Sequence, residues 1–230
     1  MKTIGMLGGM SWESTLEYYR IINEEVKKRL GETHSAKCII YSFDFHEIEK
    51  LQHEEKWEEI EDLLAQGAEN IINGGASFIC ICTNTMHLLA RKLEQRISIP
   101  LIHIADTAGE AISKEGLKTV GLIGTKFTME KNFYKKRIQD RFGIDVLIPN
   151  EQDRNSIHSI IYNELILGKI RKESREQVNK IIQKLKKEGA QGVILGCTEI
   201  GMLLNQKDTD IRLLDTALIH AEKAVECALQ

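Results

Sequence analysis

An α/β fold is predicted, built as two pseudo-symmetric halves, each a mostly parallel sheet flanked by helices. Two observations predict it. Short β-branched runs alternate with longer amphipathic segments along the whole chain, the pattern of parallel strands covered by helices on both faces. Three strand-end segments also recur in the same order: TIGMLGG at Thr3 and TVGLIGT at Thr119, GASFICICTNT at Gly75 and GAQGVILGCTEI at Gly189, DTA at Asp106 and again at Asp215. Ordered recurrence of this kind marks a duplicated unit. The halves fall at about residues 1–115 and 116–230, with the C-terminal helix able to pack back on the first half.

The elements follow from local pattern. KTIGMLG reads as the first strand and residues 14–30 as a helix; KCIIYSF is the second strand. A strongly charged stretch over residues 54–73 carries Trp57, Ile60, Leu63, Leu64, Ala68 and Ile71 at helical spacing, so it predicts one amphipathic helix. SFICICT is the third strand, residues 87–95 a helix and PLIHIA the fourth strand. The second half repeats the pattern, but no segment at the matching position answers the charged helix.

Composition narrows the function. The chain has 230 residues, net charge −3, 42% hydrophobic and 28% charged residues. No basic footprint points to nucleic acid, and no polybasic tract points to a membrane surface. No apolar run approaches the ~20 residues that span a bilayer. The five cysteines, Cys38, Cys80, Cys82, Cys197 and Cys227, are odd in number and irregularly spaced, unlike a disulfide framework. The N-terminal MKTIGMLGGMSWEST lacks a signal peptide's apolar core. The expectation is a cytoplasmic, reduced protein.

Ligands of parallel α/β sheets bind beyond the carboxyl ends of the strands. Two related halves therefore predict an active site in the cleft between them, lined by GGMS, CTNT, GTKF and GCTE. These supply Ser11, Thr83, Asn84, Thr85, Thr125, Thr198 and Glu199. A GG turn before a helix can hold a carboxylate on backbone donors, with Met10 giving an N–H or an apolar wall, or it is simply a tight turn. Neither G-x-G-x-x-G nor G-K-[ST] occurs. His46 and His53 lie in a stretch of alternating charge, which reads as a solvated face.

Superposing Gly75–Ala76 on Gly189–Ala190 sets the phase of the cysteines. Cys80 then matches Ile194, Cys82 matches Gly196 and Thr83 matches Cys197. A one-residue shift sends a strand side chain to the opposite face, so Cys82 is out of phase with Cys197 and Thr83 is in phase. Cys80 and Cys82 read as small hydrophobes of a buried strand, and their spacing to His87 is wrong for a zinc site. Cys197, after a glycine and before two polar residues, is the candidate thiol. A free thiol has a pKa near 8.5, which N–H groups at a helix start would lower.

The segments IGMLGGMSWEST, SFDFHEIEKLQ, CTNTMH, HIADT, GVILGCTEIG and LLDTA together resemble the aspartate/glutamate racemase family, which is independent of pyridoxal phosphate (PLP). The likeness covers essentially the whole chain. It is strongest to the L-aspartate/glutamate-specific and broad-specificity amino-acid racemases of enteric bacteria. It implies no cofactor, a small amino-acid substrate and a homodimer. It also implies a pair of thiols on opposite faces of the substrate α-carbon, one removing the proton and the other returning one. The family's first motif is Cys-Asn-Thr; here Thr83 precedes Asn84, while Gly196–Cys197–Thr198 keeps the second motif. The implied catalytic pair is thus asymmetric, Thr83 and Cys197, with the second-half thiol serving the L face. Met10, Ser11, Asn84, Thr85, Thr198 and Glu199 fall on substrate-binding positions, and Gln52 on a side-chain contact or a helix face. The arginine that some aspartate racemases carry after the second strand is absent; Lys169 or Arg171 could replace it, or the substrate is neutral. Two other readings stand beside this one: a decarboxylase-type lyase, which needs only the second-half cysteine, and a non-catalytic amino-acid binding protein.

Overall fold

The computed structural model describes all residues, Met1–Gln230. The backbone forms two four-stranded sheets, each wholly parallel. Chain contacts divide the molecule into two compact units, Met1–His103 with His220–Gln230, and Ile104–Ile219.

In the first unit β1 (Ile4–Gly8), β2 (Cys38–Ser42), β3 (Phe78–Ile81) and β4 (Leu101–Ile102) lie in the order β2-β1-β3-β4. The helices are α1 (Trp12–Leu30), α2 (Phe45–His53), α3 (Trp57–Asn73) and the short α4 (Ala90–Glu94). Ser11 caps α1, taking the Ser14 N–H at 3.3 Å, and Lys27, Lys28 and Arg29 occupy its last turn, where cations meet the negative end of the helix dipole. On α3, Ile60, Leu64, Ala68 and Ile71 form one buried stripe that packs with Leu7, Ile79 and Ile81 of the sheet. Burying a leucine of this kind is worth roughly 2 kcal/mol.

In the second unit β5 (Thr119–Gly124), β6 (Asp145–Leu147), β7 (Gly192–Gly196) and β8 (Arg212–Asp215) repeat the order, as β6-β5-β7-β8. Helices α5 (Ile104–Lys114), α6 (Lys126–Glu130), α7 (Asn132–Phe142), α8 (Glu151–Asn163), α9 (Lys172–Lys187) and α10 (Ile200–Leu203) belong to it. One core cluster packs α8 and α9 on the sheet through Ile157, Ile161, Ile181, Ile182, Val193 and Leu195. The other packs α5 and α7 through Ile104, Ala108, Ile112, Tyr134 and Ile138. Asp106 of α5 accepts hydrogen bonds from Arg137 Nε and Nη2 at 2.6 and 2.7 Å, and from Arg141.

Four details differ from expectation. The charged helix starts at Trp57 rather than at residue 54, because Glu55 takes a left-handed backbone (φ +56°), and a further helix, α2, precedes the break. The stretch at residues 87–95 starts as a 3-10 turn, Thr85–Leu89, before α4. The second unit does carry a counterpart of the charged helix at the matching offset: α9 enters β7 as α3 enters β3. It escaped detection because its residues differ, α9 being lysine-rich where α3 opens with glutamates. Residues 104–115 pack in the second unit rather than the first, since the apolar face of α5 lies in that unit's core. Apart from these four, residues 220–230, with the end of α11 (Thr216–Leu229), pack in the first unit, where Lys2 N–H donates to Ala228 O at 2.8 Å. No helix is long and apolar enough to cross a membrane.

Candidate active site

The sheet registers fix which strand-end residues are equivalent. In the first unit Leu7 of β1 pairs with Ile81 of β3; in the second Ile123 of β5 pairs with Leu195 of β7. Thr83 lies two residues past Ile81 and Cys197 two past Leu195, so both stand at the same point beyond a central strand. Cys80 lies inside β3, and Cys82 still donates its N–H to Leu7 O at 2.9 Å as part of the ladder. Both are fully buried, and burial pushes both thiols well above the ordinary range.

In the first unit, Gly9 takes a left-handed conformation (φ +82°), and a Cβ there would stand 2.2 Å from Phe43 O. Only glycine lets the β1–α1 turn approach the chain leaving β2 this closely. Thr15 holds the turn, accepting from Gly9 N–H at 2.8 Å and donating to Ser11 O at 2.9 Å. Met10 packs into the core cluster and Ser11 is buried as the cap of α1. Thr83 is half-buried, while Asn84 and Thr85 are buried at the start of the 3-10 turn. Gln52 is buried in α2 beside Ile48, not spread on a solvated helix face. His46 and His53 are exposed.

In the second unit Cys197, Thr198 and Glu199 are all buried between β7 and α10. A single oxygen, Glu199 Oε2, accepts from Cys197 Sγ at 2.9 Å and from Thr198 Oγ1 at 2.8 Å. Burial raises the Cys197 thiol well above its usual value, and the negative charge and hydrogen bond of Glu199 raise it further. The backbone N–H groups of Glu199 and Ile200 pull the other way. The helix-start donors that sequence reasoning invoked are thus present but outweighed, and the thiol keeps its proton in the free protein. Thr125 is buried as the cap of α6, accepting from Thr128 N–H at 3.2 Å. Gly124 lies against Gly196, where a Cβ would stand 2.6 Å from the Gly196 carbonyl oxygen. Lys169 and Arg171 are exposed ahead of α9, with Arg171 3.7 Å from Glu164.

Two features escaped sequence reasoning. One is the Cys197–Glu199 contact; Glu199 had signalled only substrate binding. The other is a buried histidine group in the first unit, His87, His103 and His220. His220 Nδ1 lies 2.8 Å from Tyr18 Oη and its Nε2 lies 2.9 Å from Ile102 O. A carbonyl can only accept, so Nε2 carries the proton and Nδ1 accepts from the tyrosine. Burial lowers His220 to about 4 from an ordinary 6.5.

That depression makes stability depend on acid. Between pH 6.5 and 4 the unfolded chain binds a proton at this site that the folded chain does not, so stability rises with pH through this window. The contribution of His220 is complete above pH 6.5 and is lost as pH falls towards 4, about 3 kcal/mol in all. Urea midpoints should therefore drop steadily from pH 7 to pH 5, and His220→Gln should flatten the slope. An unchanged slope in that variant counts against the assignment.

The comparisons agree with this architecture. The Asp/Glu/Hydantoin racemase family model matches residues 7–224. The broad specificity amino-acid racemase RacX of Bacillus subtilis (strain 168) is 24% identical over 98% of both chains. Among solved structures, a Yersinia pestis protein assigned to the Asp/Glu racemases is 47% identical, with a TM-score of 0.93 over all of both chains. An aspartate racemase homologue from Pyrococcus horikoshii OT3 is 35% identical, with a TM-score of 0.87 over all of both chains. The duplicated parallel sheets, the strand-end hydroxyls and the single thiol held by a carboxylate thus sit in a chain that belongs to the Asp/Glu/Hydantoin racemase family and is an isomerase of the racemase type.

Proposed function

We propose that the protein racemises a small amino acid, aspartate, glutamate or a close relative, without PLP or any other cofactor, through the asymmetric pair Cys197 and Thr83. The observation that carries this reading is the buried thiol on Glu199 Oε2, paired by sheet register with a threonine instead of a second thiol. Glu199 accepts the thiol proton and Cys197, now a thiolate, takes the α-proton from the L face. The electron pair spreads into the substrate carboxylate. Thr83, or a water it holds, returns a proton to the opposite face. The substrate ammonium favours the thiolate that burial and Glu199 oppose in the free protein, so the base forms only when there is a proton to remove. Ser11, Asn84, Thr85 and Thr198 bind the ammonium and carboxylate, and Gln52 contacts the side chain. With Lys169 and Arg171 exposed, a second carboxylate has no assigned cation, which supports including neutral substrates such as homoserine.

The test uses L-aspartate, L-glutamate and L-homoserine in deuterated water. Deuterium at the α-carbon and formation of the D-enantiomer are expected for at least one. Release of carbon dioxide from a malonate-type acid, with no α-exchange of any amino acid, supports the lyase reading, and binding without exchange supports a sensor.

Glu199→Gln isolates the proton acceptor. Glutamine keeps an oxygen for the thiol but cannot take its proton. The kcat should fall roughly 10²-fold to 10³-fold at pH 7.5, the scale of losing a general base. Activity should partly return as pH rises, since the variant thiol keeps the effect of burial but loses that of the Glu199 charge. A variant with wild-type kcat at pH 7.5 sinks this role.

A further inference from the structure

The ladder of the first sheet ends at Cys82 N–H, and the next two carbonyls, of Cys82 and Thr83, have no strand partner. Buried carbonyls need donors, and two side chains supply them. Ser14 Oγ donates to Cys82 O at 2.8 Å, and His87 Nδ1 lies 2.8 Å from Thr83 O. That carbonyl can only accept, and the Ile102 carbonyl, the other backbone acceptor beside the ring, already takes the His220 Nε2 proton, so Nδ1 of His87 carries the proton. The peptide planes on both sides of Thr83 are therefore each fixed by a side chain, one from α1 and one from the turn after β3.

His87 is itself held. Its ring is tilted against His103 at 4.7 Å between centroids and meets His220 edge-on at 5.7 Å. His220 is anchored at both nitrogens by Tyr18 and Ile102. All three imidazoles are buried. Burial and the neighbouring rings lower His87 well below its usual value, so it is neutral and has one proton to give. An aliphatic side chain would fill the same volume more cheaply. What histidine adds is an N–H donor that reaches back four residues.

We propose that His87 is a positioning residue for Thr83, its Nδ1–H holding the Thr83 carbonyl so that the hydroxyl stays aimed for reprotonation. This rests on the racemase reading above. It predicts a selective defect: proton removal by Cys197 is on the other unit and survives, whereas delivery to the opposite face fails. A residue that merely supports the fold would lower both together.

The experiment follows an L-substrate in deuterated water and compares D-enantiomer formation with α-deuterium entering the remaining L-enantiomer. His87→Leu removes the donor, His87→Gln moves it towards the Nε2 position, and His87→Asn keeps it near the Nδ1 position. In the Leu and Gln variants D-formation should fall roughly 10-fold to 100-fold, the scale of a misplaced reacting group, while exchange into the L-enantiomer stays within about twofold. Asn should restore most of the inversion. The proposal is overturned if the Gln variant keeps the wild-type ratio, or if Asn and Gln lose both rates in parallel. Should His87→Leu not fold, the Asn and Gln pair decides alone. Thr83→Val, run alongside, separates the two levels. Loss of inversion in Thr83→Val with a normal His87→Gln rejects only the positioning role; a normal ratio in Thr83→Val rejects the asymmetric pair itself.

Discussion

Cys197→Ala is expected to abolish both racemisation and α-proton exchange, by at least about 10³-fold. Position 83 offers no second thiol, and Cys80 and Cys82 are locked in the first unit's interior with thiols too weakly acidic to substitute. The α-proton of an amino acid is a very weak acid, and a hydroxyl cannot take over as base without its own much stronger activation. Cys197→Ser should fall nearly as far, because an alcohol keeps the hydrogen bond to Glu199 but resists ionisation far more than a thiol. The measurement is α-deuterium incorporation into L-aspartate, L-glutamate and L-homoserine, followed by mass spectrometry. Exchange at the wild-type rate in Cys197→Ala would falsify the thiol assignment. The variant should stay folded: losing one sulfur from the core cluster that holds Cys197 costs about 1 kcal/mol.

Thr83→Cys should act in the opposite direction and raise turnover roughly 10-fold to 100-fold, since a thiol near pKa 8.5 is a far better proton donor than a neutral hydroxyl. The register equivalence of positions 83 and 197 puts the new thiol where the repeat already places one. Exchange from the D-substrate, whose α-proton position 83 removes in the proposed mechanism, should rise in step. The equilibrium constant for racemisation is one, so kcat/KM must be equal in the two directions for both wild type and variant. The asymmetry can therefore appear only in kcat and KM separately, and the variant should bring the two directions' kcat values together. A folded Thr83→Cys protein with unchanged turnover would mean that position 83 does not handle the second proton.

Much of this was legible from local pattern. The duplication showed because strand ends carry glycine, hydroxyl and thiol residues in an order that recurs at Thr3 and Thr119, Gly75 and Gly189, Asp106 and Asp215. Strand alternation has a period of two, so aligning those segments sufficed to separate Thr83 from Cys82, and the ladders agree residue for residue. Other features had weaker signals. The interruption at Glu55 is a single left-handed residue in a run whose composition favours helix throughout. The equivalence of α9 with α3 was hidden by their different residues, lysine-rich in α9 and glutamate-led in α3, although both lead into corresponding strands at the same offset.

The sequence by itself determined the fold class, the two repeats and the register equivalence of Thr83 with Cys197, because these depend on periodicities that act over a few residues. Tertiary structure alone decided the rest. The packing of α5 with the second unit and of the chain end with the first depends on which core each apolar face joins. The acidity of Cys197 depends on burial opposed by two backbone donors, and on where the Glu199 carboxylate turns. The support behind Thr83 assembles Ser14, Tyr18, His87, His103 and His220 from distant parts of the chain. No local pattern encodes such contacts, because the folded chain, not residue spacing, brings those side chains within hydrogen-bonding distance.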